Sequence, residues 1–211
     1  MTNDQFVRDN TELLAPPLVP ELRLHLASEV VPLWRKTEEE LTRIGVPPPY
    51  WAFAWAGGQA LARYILDRPE TVAGKKVLDF GAGSGLVALA AAKAGARHVM
   101  AADIDPFAVA AITRNAEANT LMIEAVDKDM IGSRERFDLI LIGDMCYERP
   151  LAERLMAWLK ETQADILLGD PGRTYFPNTG LTRLATYSVP TTRELEDREI
   201  RETGIWRLDR A

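Results

Sequence analysis

The stretch that decides the fold is residues 77–85, which read Val77-Leu78-Asp79-Phe80-Gly81-Ala82-Gly83-Ser84-Gly85. A short apolar run ends near the carboxylate of Asp79, and three glycines then follow at alternate positions. Residues 86–94 are small and apolar, which is typical of a buried helix. Since glycine adopts positive φ easily and lets a ligand approach the backbone, the pattern predicts a strand, a tight ligand-binding loop and a helix.

The spacing of these glycines differs from that of a dinucleotide-binding loop. The helix behind the loop offers unpaired N–H groups to a polar ligand, as in many nucleotide sites. In the dinucleotide fingerprint Gly-x-Gly-x-x-Gly the third glycine would fall at Leu86, whereas this chain has it at Gly85. The spacing therefore disfavours a dehydrogenase, and the loop alone indicates only a nucleotide site.

Composition and charge narrow the class of protein. The chain has 211 residues, 47% of them hydrophobic and 27% charged, which fits one globular core with a small appendage. A net charge of −6 argues against bulk binding to nucleic acid. The sole cysteine, Cys146, cannot form an internal disulfide, no run of 18 apolar residues occurs, and the N-terminus lacks a signal-like pattern. We therefore predict a soluble cytoplasmic protein that does not contact membranes.

From residue 75 onward, apolar runs alternate with helical patterns. Because β-α alternation builds parallel sheets, we predict an α/β fold with a Rossmann-like, doubly wound, seven-stranded sheet, mostly parallel with an antiparallel end. The last two strands follow each other without a long helix and form the antiparallel pair. The predicted strands are residues 76–80, 98–103, 121–126, 137–144, 165–170, 184–189 and 202–208, and the predicted helices are residues 86–94, 106–119 and 151–160.

The region before the sheet divides into two predicted parts. Residues 1–46 form a tail, ordered only near Pro16, and a helical extension over residues 20–41, where apolar positions recur at roughly helical spacing. Residues 47–211 form the main domain, which three prolines open. Residues 50–59 carry four aromatic side chains and a Gly-Gly pair, and serve either as a core plug or as the wall of a ligand pocket; a helix over residues 60–66 follows.

Carboxylates end several predicted strands, at the edge where such sheets bind ligands. Asp103 follows Gly85 by 18 residues, at the end of the next strand, where a carboxylate accepts hydrogen bonds from ribose hydroxyls. The alternative is a turn or capping aspartate. Beyond the third strand, an acidic side chain could receive the exocyclic amine of adenine, and we favour Asp129 over Asp127.

Together these features resemble the seven-stranded, S-adenosylmethionine-dependent methyltransferases. The resemblance covers about residues 50–208 and rests on the glycine loop, Asp103, five alternating units and two terminal strands. It implies S-adenosylmethionine as cofactor, with Asp79 facing the amino group of its methionine end. It implies that the cofactor-binding residues are Trp55, Asp79, Gly81, Gly83, Asp103, Asp129 and Gly143.

A narrower resemblance follows the fourth strand, where Asp144-Met145-Cys146-Tyr147 is similar to the Asp-x-x-Tyr motif of the protein-lysine methyltransferases. The segments around Trp51, Gly57 and Asp170 are similar to the branch that modifies the β subunit of electron transfer flavoprotein. The resemblance implies that Asp144 holds the lysine ammonium, with Tyr147 beside it, and that the partner is that subunit or a ribosomal protein. For Asp144, the alternative is an N-cap of the following helix.

Other functions and sites have weaker support in the sequence. A methyltransferase for a small molecule or RNA and a catalytically silent nucleoside-binding scaffold remain open, RNA being disfavoured by the charge and the lack of an Asn-Pro-Pro-Tyr motif. His25 and His98 lack partners spaced for a metal, so we predict no metal site. Glu148 and Arg173 border the predicted site. Each of them either contacts the substrate protein or forms a surface salt bridge. We expect a monomer.

Overall fold

The N-terminal segment adds a helix and a small sheet to the main domain. The computed structural model describes residues 2–28, 48–191 and 198–210. Helix α1 (Asn3–Asp9) begins at Thr2, whose hydroxyl accepts a hydrogen bond from the Gln5 N–H at 3.2 Å. Strand β1 (Glu12–Leu14) pairs antiparallel with β2 (Leu24–Leu26).

Two predictions for this segment are wrong. Residues 3–9 are helical rather than a tail, because Val7 is fully buried against the main domain and anchors the helix. Residues 24–26 form a strand rather than a helix: Leu22, Leu24 and Leu26 are all buried, and this two-residue period competes with the helical one. The rest of the predicted helical extension and the boundary at residues 46 and 47 lie outside the described residues.

Seven strands form one mixed sheet in the order β5-β4-β3-β6-β7-β9-β8, which confirms the predicted fold class. Strands β3 to β7 are parallel, and β9 is antiparallel to both β7 and β8. The strand order reverses at β3, which lies between β4 and β6. The strands are β3 (Lys76–Phe80), β4 (His98–Asp103), β5 (Glu124–Asp127), β6 (Leu139–Gly143), β7 (Asp165–Asp170), β8 (Leu181–Pro190) and β9 (Ile200–Leu208).

Helices cover both faces of the sheet, so its central strands are buried on both sides, as the apolar run of the fourth predicted strand indicates. Val77 belongs to the hydrophobic core on one face of the sheet, and Leu78 belongs to the core on the other face. None of the helices in the described part of the chain is long and apolar enough to span a membrane. The first face carries α2 (Ala56–Asp67), α3 (Leu86–Lys93) and α4 (Pro106–Ala118), and the second carries α5 (Arg149–Glu161).

Predicted boundaries are accurate for the strands β3, β4 and β7 and less so elsewhere. Strand β5 begins at Glu124 rather than at residue 121, after Thr120 adopts a φ of +56°. Strand β6 spans Leu139–Gly143 rather than residues 137–144, and Asp144 then turns the chain with a φ of +49°.

Helix α2 begins at Ala56, four residues before the predicted start, because both residues of the Gly-Gly pair are helical. Gly57 packs directly on the carboxyl ends of two strands: a Cβ at this position would overlap the carbonyl oxygen of Gly169 and the carboxylate of Asp144. A Cβ on Gly143 would lie 3.2 Å from the backbone of Gly58, whereas a Cβ on Gly58 itself would meet Val87 at an ordinary contact distance of 3.9 Å. Only the first of the two glycines is therefore required for close packing.

The two glycines provide a matched pair of substitutions. We expect Gly57→Ala to lower the free energy of unfolding by about 1–3 kcal/mol, the usual cost of overpacking. Gly58→Ala, in the same turn of the same helix, is expected to be neutral or to stabilise by up to about 1 kcal/mol, since alanine favours helix more than glycine. Urea denaturation of both variants checks this; equal effects of the two substitutions would contradict the packing assigned to Gly57.

Candidate active site

A cavity of about 620 Å³ opens at the carboxyl ends of β3, β4 and β6, where the strand order reverses. This is where open α/β sheets bind ligands, and the volume suits a nucleoside-sized molecule. A recess of about 50 Å³ adjoins it between the glycine loop and Gly143. The predicted residues Trp55, Gly81, Gly83, Asp103, Asp129, Gly143, Asp144 and Tyr147 all line the cavity.

The glycine loop forms the floor of the cavity. Gly81, Gly83 and Gly85 adopt φ angles of +62°, +52° and +77°, a region that favours glycine. A Cβ on Gly81 would also collide with the side chain of Met145, which lines the cavity from the loop after β6. The backbone itself therefore faces the ligand space along this loop.

Asp103 lines the cavity from the end of β4, with each carboxylate oxygen fixed by one backbone donor. Oδ2 accepts from the Gly83 N–H at 2.8 Å, and Oδ1 accepts from the Asp105 N–H at 3.0 Å. Burial raises the pKa of Asp103, which the backbone hydrogen bonds oppose. The aspartate thus organises a turn, and its side chain also lines the cavity, so its role toward ribose stays a prediction. The N-cap of α4 is Asp105, as its spacing before Pro106 indicates.

Asp79 lies beneath the loop, outside the wall of the main cavity. It is only 2% exposed, borders the recess together with Asp144, and accepts a hydrogen bond from the Ala88 N–H at 2.8 Å. Burial raises its pKa to about 8. At pH 7 this carboxyl is therefore mainly protonated.

Asp129 lies at the far end of the cavity from the recess. Its Oδ1 accepts from the Ile131 N–H at 2.9 Å, and its Oδ2 is 3.2 Å from Nη2 of Arg154. Arg154 also lines the cavity, whereas Asp127 ends β5 as an exposed residue away from the cavity wall. The structure thus places Asp129 on the cavity and Asp127 off it.

Asp144 occupies a strained position between three elements. Its φ of +49° is unfavourable for a residue with a side chain. Oδ1 accepts hydrogen bonds from Nη2 and Nε of Arg173 at 2.7 and 3.0 Å. Oδ2 accepts a hydrogen bond from the Gly58 N–H, in the first turn of α2, at 3.1 Å. The side chains of Asp144 and Arg173 are 11% and 19% exposed. The N-cap interpretation of Asp144 is wrong, because α5 begins at Arg149 behind Glu148.

Aromatic residues form the rim of the cavity. The sequence left open whether such residues pack in the core or wall a ligand pocket, and both arrangements occur. Trp51 is 1% exposed and packs in the core near Phe107, although it also touches the cavity. Tyr50 and Tyr147 are half exposed, with ring centroids 5.8 Å apart. Burial and the neighbouring Glu148 raise the pKa of Tyr147 to about 12, so its hydroxyl stays neutral.

The indole of Trp55 connects the rim to the ion pair. Its Nε1 donates to the Tyr50 carbonyl at 2.8 Å, and the guanidinium of Arg173 lies 5.7 Å from its ring centroid. Such a cation over an indole ring is an attractive contact. Trp55 therefore walls the cavity and holds Arg173 in place.

The remaining candidates have structural roles. Burial raises the pKa of the Cys146 thiol to about 12, which makes it a poor nucleophile. His98 lies 3.0 Å from Glu124, and His25 shares a hydrogen bond with Thr11. Within residues 2–28, 48–191 and 198–210, no group of His, Cys, Asp and Glu side chains is arranged to hold a metal ion.

Sequence reasoning missed two contacts of Asp144. It placed Arg173 near the site but not on this carboxylate, and it did not assign a role to the Gly58 N–H. The only signal was the position of Arg173 three residues after Asp170 at the end of β7, beside the fourth predicted strand. Which acid an arginine in such a loop contacts depends on side-chain packing, which the sequence does not display.

Comparison with known proteins gives a consistent result. Residues 59–145 match the family described as ribosomal protein L11 methyltransferase. The chain is 41% identical to the electron transfer flavoprotein beta subunit lysine methyltransferase of Danio rerio, over 97% of this chain and 82% of that protein. It is 37% identical to the protein of the same name in Rattus norvegicus, over 95% of this chain and 82% of that one.

Among solved structures, the fold resembles magnesium protoporphyrin IX methyltransferase from Synechocystis PCC 6803 with bound S-adenosylmethionine. The TM-score is 0.57 at 17% identity, over 74% of this chain and 80% of that one. At this identity the likeness concerns the fold alone.

The buried carboxyl of Asp79 makes stability depend on pH. Its folded pKa of about 8 exceeds the usual value, so the folded state binds more protons than the unfolded state between about pH 4 and 8. The contribution of this group to stability therefore falls as pH rises through that window. We expect Asp79→Asn to match wild type near pH 4 and to have a melting temperature higher by at least about 2–4 °C at pH 9, the shift that about 1 kcal/mol produces at this size. A difference in melting temperature that stays constant from pH 4 to 9 would contradict this.

Proposed function

Because this chain belongs to the family of electron transfer flavoprotein β subunit lysine methyltransferases, we propose that it transfers methyl groups from S-adenosylmethionine to lysine side chains of that subunit. The observation that carries the proposal is that Asp144 and Tyr147 line the same nucleoside-sized cavity as Gly81 and Gly83 of the glycine loop. The chain spans most of the length of these relatives, so the relationship includes both the loop and the rim.

The residues of the cavity fit S-adenosylmethionine. Asp103 would accept the ribose hydroxyls and Asp129 the exocyclic amine of adenine, and the bare backbone of Gly81 and Gly83 allows close approach. The recess beside Asp79 would receive the amino acid end of the molecule. When bound, S-adenosylmethionine supplies a methyl group carried on a sulfonium.

The acceptor lysine needs orientation more than acid–base catalysis. Its nitrogen lone pair forms the new N–C bond as the C–S bond breaks, and the sulfur keeps the bonding electrons. The methylated nitrogen then carries the positive charge, and the one proton released is the proton that the lysine ammonium loses to water before attack. Asp144, Tyr147 and Trp55 would hold the amine in line and stabilise the spread positive charge with a carboxylate and aromatic faces.

A ribosomal protein is the second candidate substrate. The match to the ribosomal protein L11 methyltransferase family supports it, but that match covers residues 59–145, which include the glycine loop and Asp144 and end before Tyr147 and Arg173. It therefore says little about the acceptor. A net charge of −6 supports a protein substrate over nucleic acid. A cytoplasmic location and a monomeric state stay predictions.

Two substitutions separate cofactor binding from transfer. We expect Asp103→Ala to weaken S-adenosylmethionine binding by at least about tenfold, because a charged hydrogen-bond partner is lost. We expect Asp144→Asn to bind the cofactor as wild type does and to lose methyl transfer by about 100-fold or more, because it loses the orienting charge. Calorimetry measures the first effect, and mass spectrometry of the β subunit after incubation measures the second. Normal methylation by Asp144→Asn would show that the acceptor site lies elsewhere.

The rate of transfer should depend on pH. A lysine ammonium has no lone pair for attack, and its ordinary pKa is about 10.4. We expect the single-turnover rate to rise between pH 7 and 9.5 as the bound amine loses its proton. A flat single-turnover profile over this range would contradict loss of the proton before attack.

A further inference from the structure

The guanidinium of Arg173 lies on the carboxylate that the proposed function assigns to the acceptor lysine. Two of its nitrogens, Nη2 and Nε, approach the same oxygen of Asp144, at 2.7 and 3.0 Å. Both side chains line the cavity and are largely buried. A lysine that reaches Asp144 therefore meets a carboxylate that already has a cation in contact.

The loop after β7 fixes this arrangement. Oδ1 of Asp170 accepts from the backbone N–H groups of Gly172 and Arg173, both at 2.7 Å. The side chain of Arg173 then extends over the ring of Trp55 to Asp144. The backbone hydrogen bonds thus fix the loop, while the carboxylate of Asp144 and the ring of Trp55 contact the guanidinium itself.

The charge of Arg173 matters because a carboxylate with its full negative charge would oppose the reaction. A carboxylate within about 4–6 Å raises the pKa of an amine by about 1–3 units and so keeps the lysine protonated. Only the neutral amine has the lone pair that forms the N–C bond. A guanidinium on the same carboxylate cancels much of this effect while leaving the carboxylate to orient the amine.

The other acidic side chains near the Asp144–Arg173 pair offer the lysine little negative charge. Among the described residues, burial and the neighbouring Asp144 raise the pKa of Asp170 to about 7, and burial raises that of Asp79 to about 8, so neither offers a full countercharge to lysine near neutral pH. Glu148 is exposed on the rim, and the hydroxyl of Tyr147 stays neutral.

We propose that Arg173 is a positioning residue that neutralises Asp144, so that the acceptor lysine enters the site with little preference for its protonated form and attacks as the free amine. The inference rests on the proposed function. In the reaction, the amine forms the N–C bond, the C–S bond breaks with its electrons left on sulfur, and the proton that lysine loses before attack goes to water.

The experiment compares wild type, Arg173→Gln and Arg173→Lys on the β subunit. Arg97→Gln is the matched control, since Arg97 pairs with Asp138 at 3.8 Å before β4, at the opposite end of the strands. Single-turnover rates are measured from pH 7 to 10.5. The affinity for unmethylated β subunit is measured by calorimetry at pH 7 without cofactor, and calorimetry with S-adenosylmethionine and thermal unfolding show that each variant is folded.

If Arg173 acts as proposed, its replacement by glutamine raises the affinity for the β subunit and lowers the rate of methyl transfer. We expect Arg173→Gln to bind the β subunit about three- to tenfold more tightly, because the ammonium then meets a carboxylate without the guanidinium charge beside it. Its rate should fall about tenfold at pH 7.5, and its profile should level off about one pH unit above that of wild type. Arg173→Lys keeps the charge and should keep the wild-type profile, and Arg97→Gln should behave as wild type.

Two results would overturn the inference alone: weaker or unchanged binding of the β subunit by Arg173→Gln, or a loss of rate that is no smaller at pH 10.5 than at pH 7.5. Both are what a purely structural role predicts. Wild type that binds S-adenosylmethionine but methylates no lysine of the β subunit at any pH would overturn the proposed function, and this inference with it.

Discussion

The carboxylate of Asp144 is the contact on which the site depends. It joins the end of β6 to the first turn of α2 through Gly58 and to the loop after β7 through Arg173. The Asp144 backbone N–H also donates to the Gly169 carbonyl at 3.1 Å, so the three elements meet at one residue. A residue with positive φ costs free energy, and such a conformation persists where the surroundings fix it. Here the N-terminus of α2 and the guanidinium of Arg173 supply the positive charge that holds Asp144 in this conformation.

Close packing of backbone makes this junction possible. Gly57 touches Gly169 and Gly58 lies beside Gly143, so the helix approaches the strand ends more closely than side chains would allow. The approach brings the Gly58 N–H within reach of Asp144 and places Trp55, just before the helix, on the cavity wall. The same contacts therefore close the core and shape the ligand space, and the aromatic segment around residue 50 serves both purposes.

Burial gives the carboxylates of the cavity different properties. Asp103 is held by two backbone N–H groups and lines the cavity, whereas Asp79 lies under the loop with a pKa raised to about 8. Asp144 shares its charge with Arg173. Three aspartates at the ends of neighbouring strands thus form one carboxylate on the cavity wall, one largely protonated group and one ion pair. This separation of roles suits a reaction in which a positive charge moves from sulfur to nitrogen without a general base.

Local patterns in the sequence determined the sheet and most of the cavity wall. Apolar runs ended by aspartates locate β3, β4 and β7, the glycine spacing disfavours a dinucleotide loop, and parallel strands bring Asp103 and Asp144 to one edge. These features follow from periodicity and connectivity, which are local. Only the tertiary structure decided that residues 24–26 pair as a strand, that Asp79 lies beneath the loop, and that Arg173 binds Asp144. Each of these depends on which distant surface a side chain packs against, and that is set by the shape and charge of the assembled fold rather than by the spacing of residues along the chain.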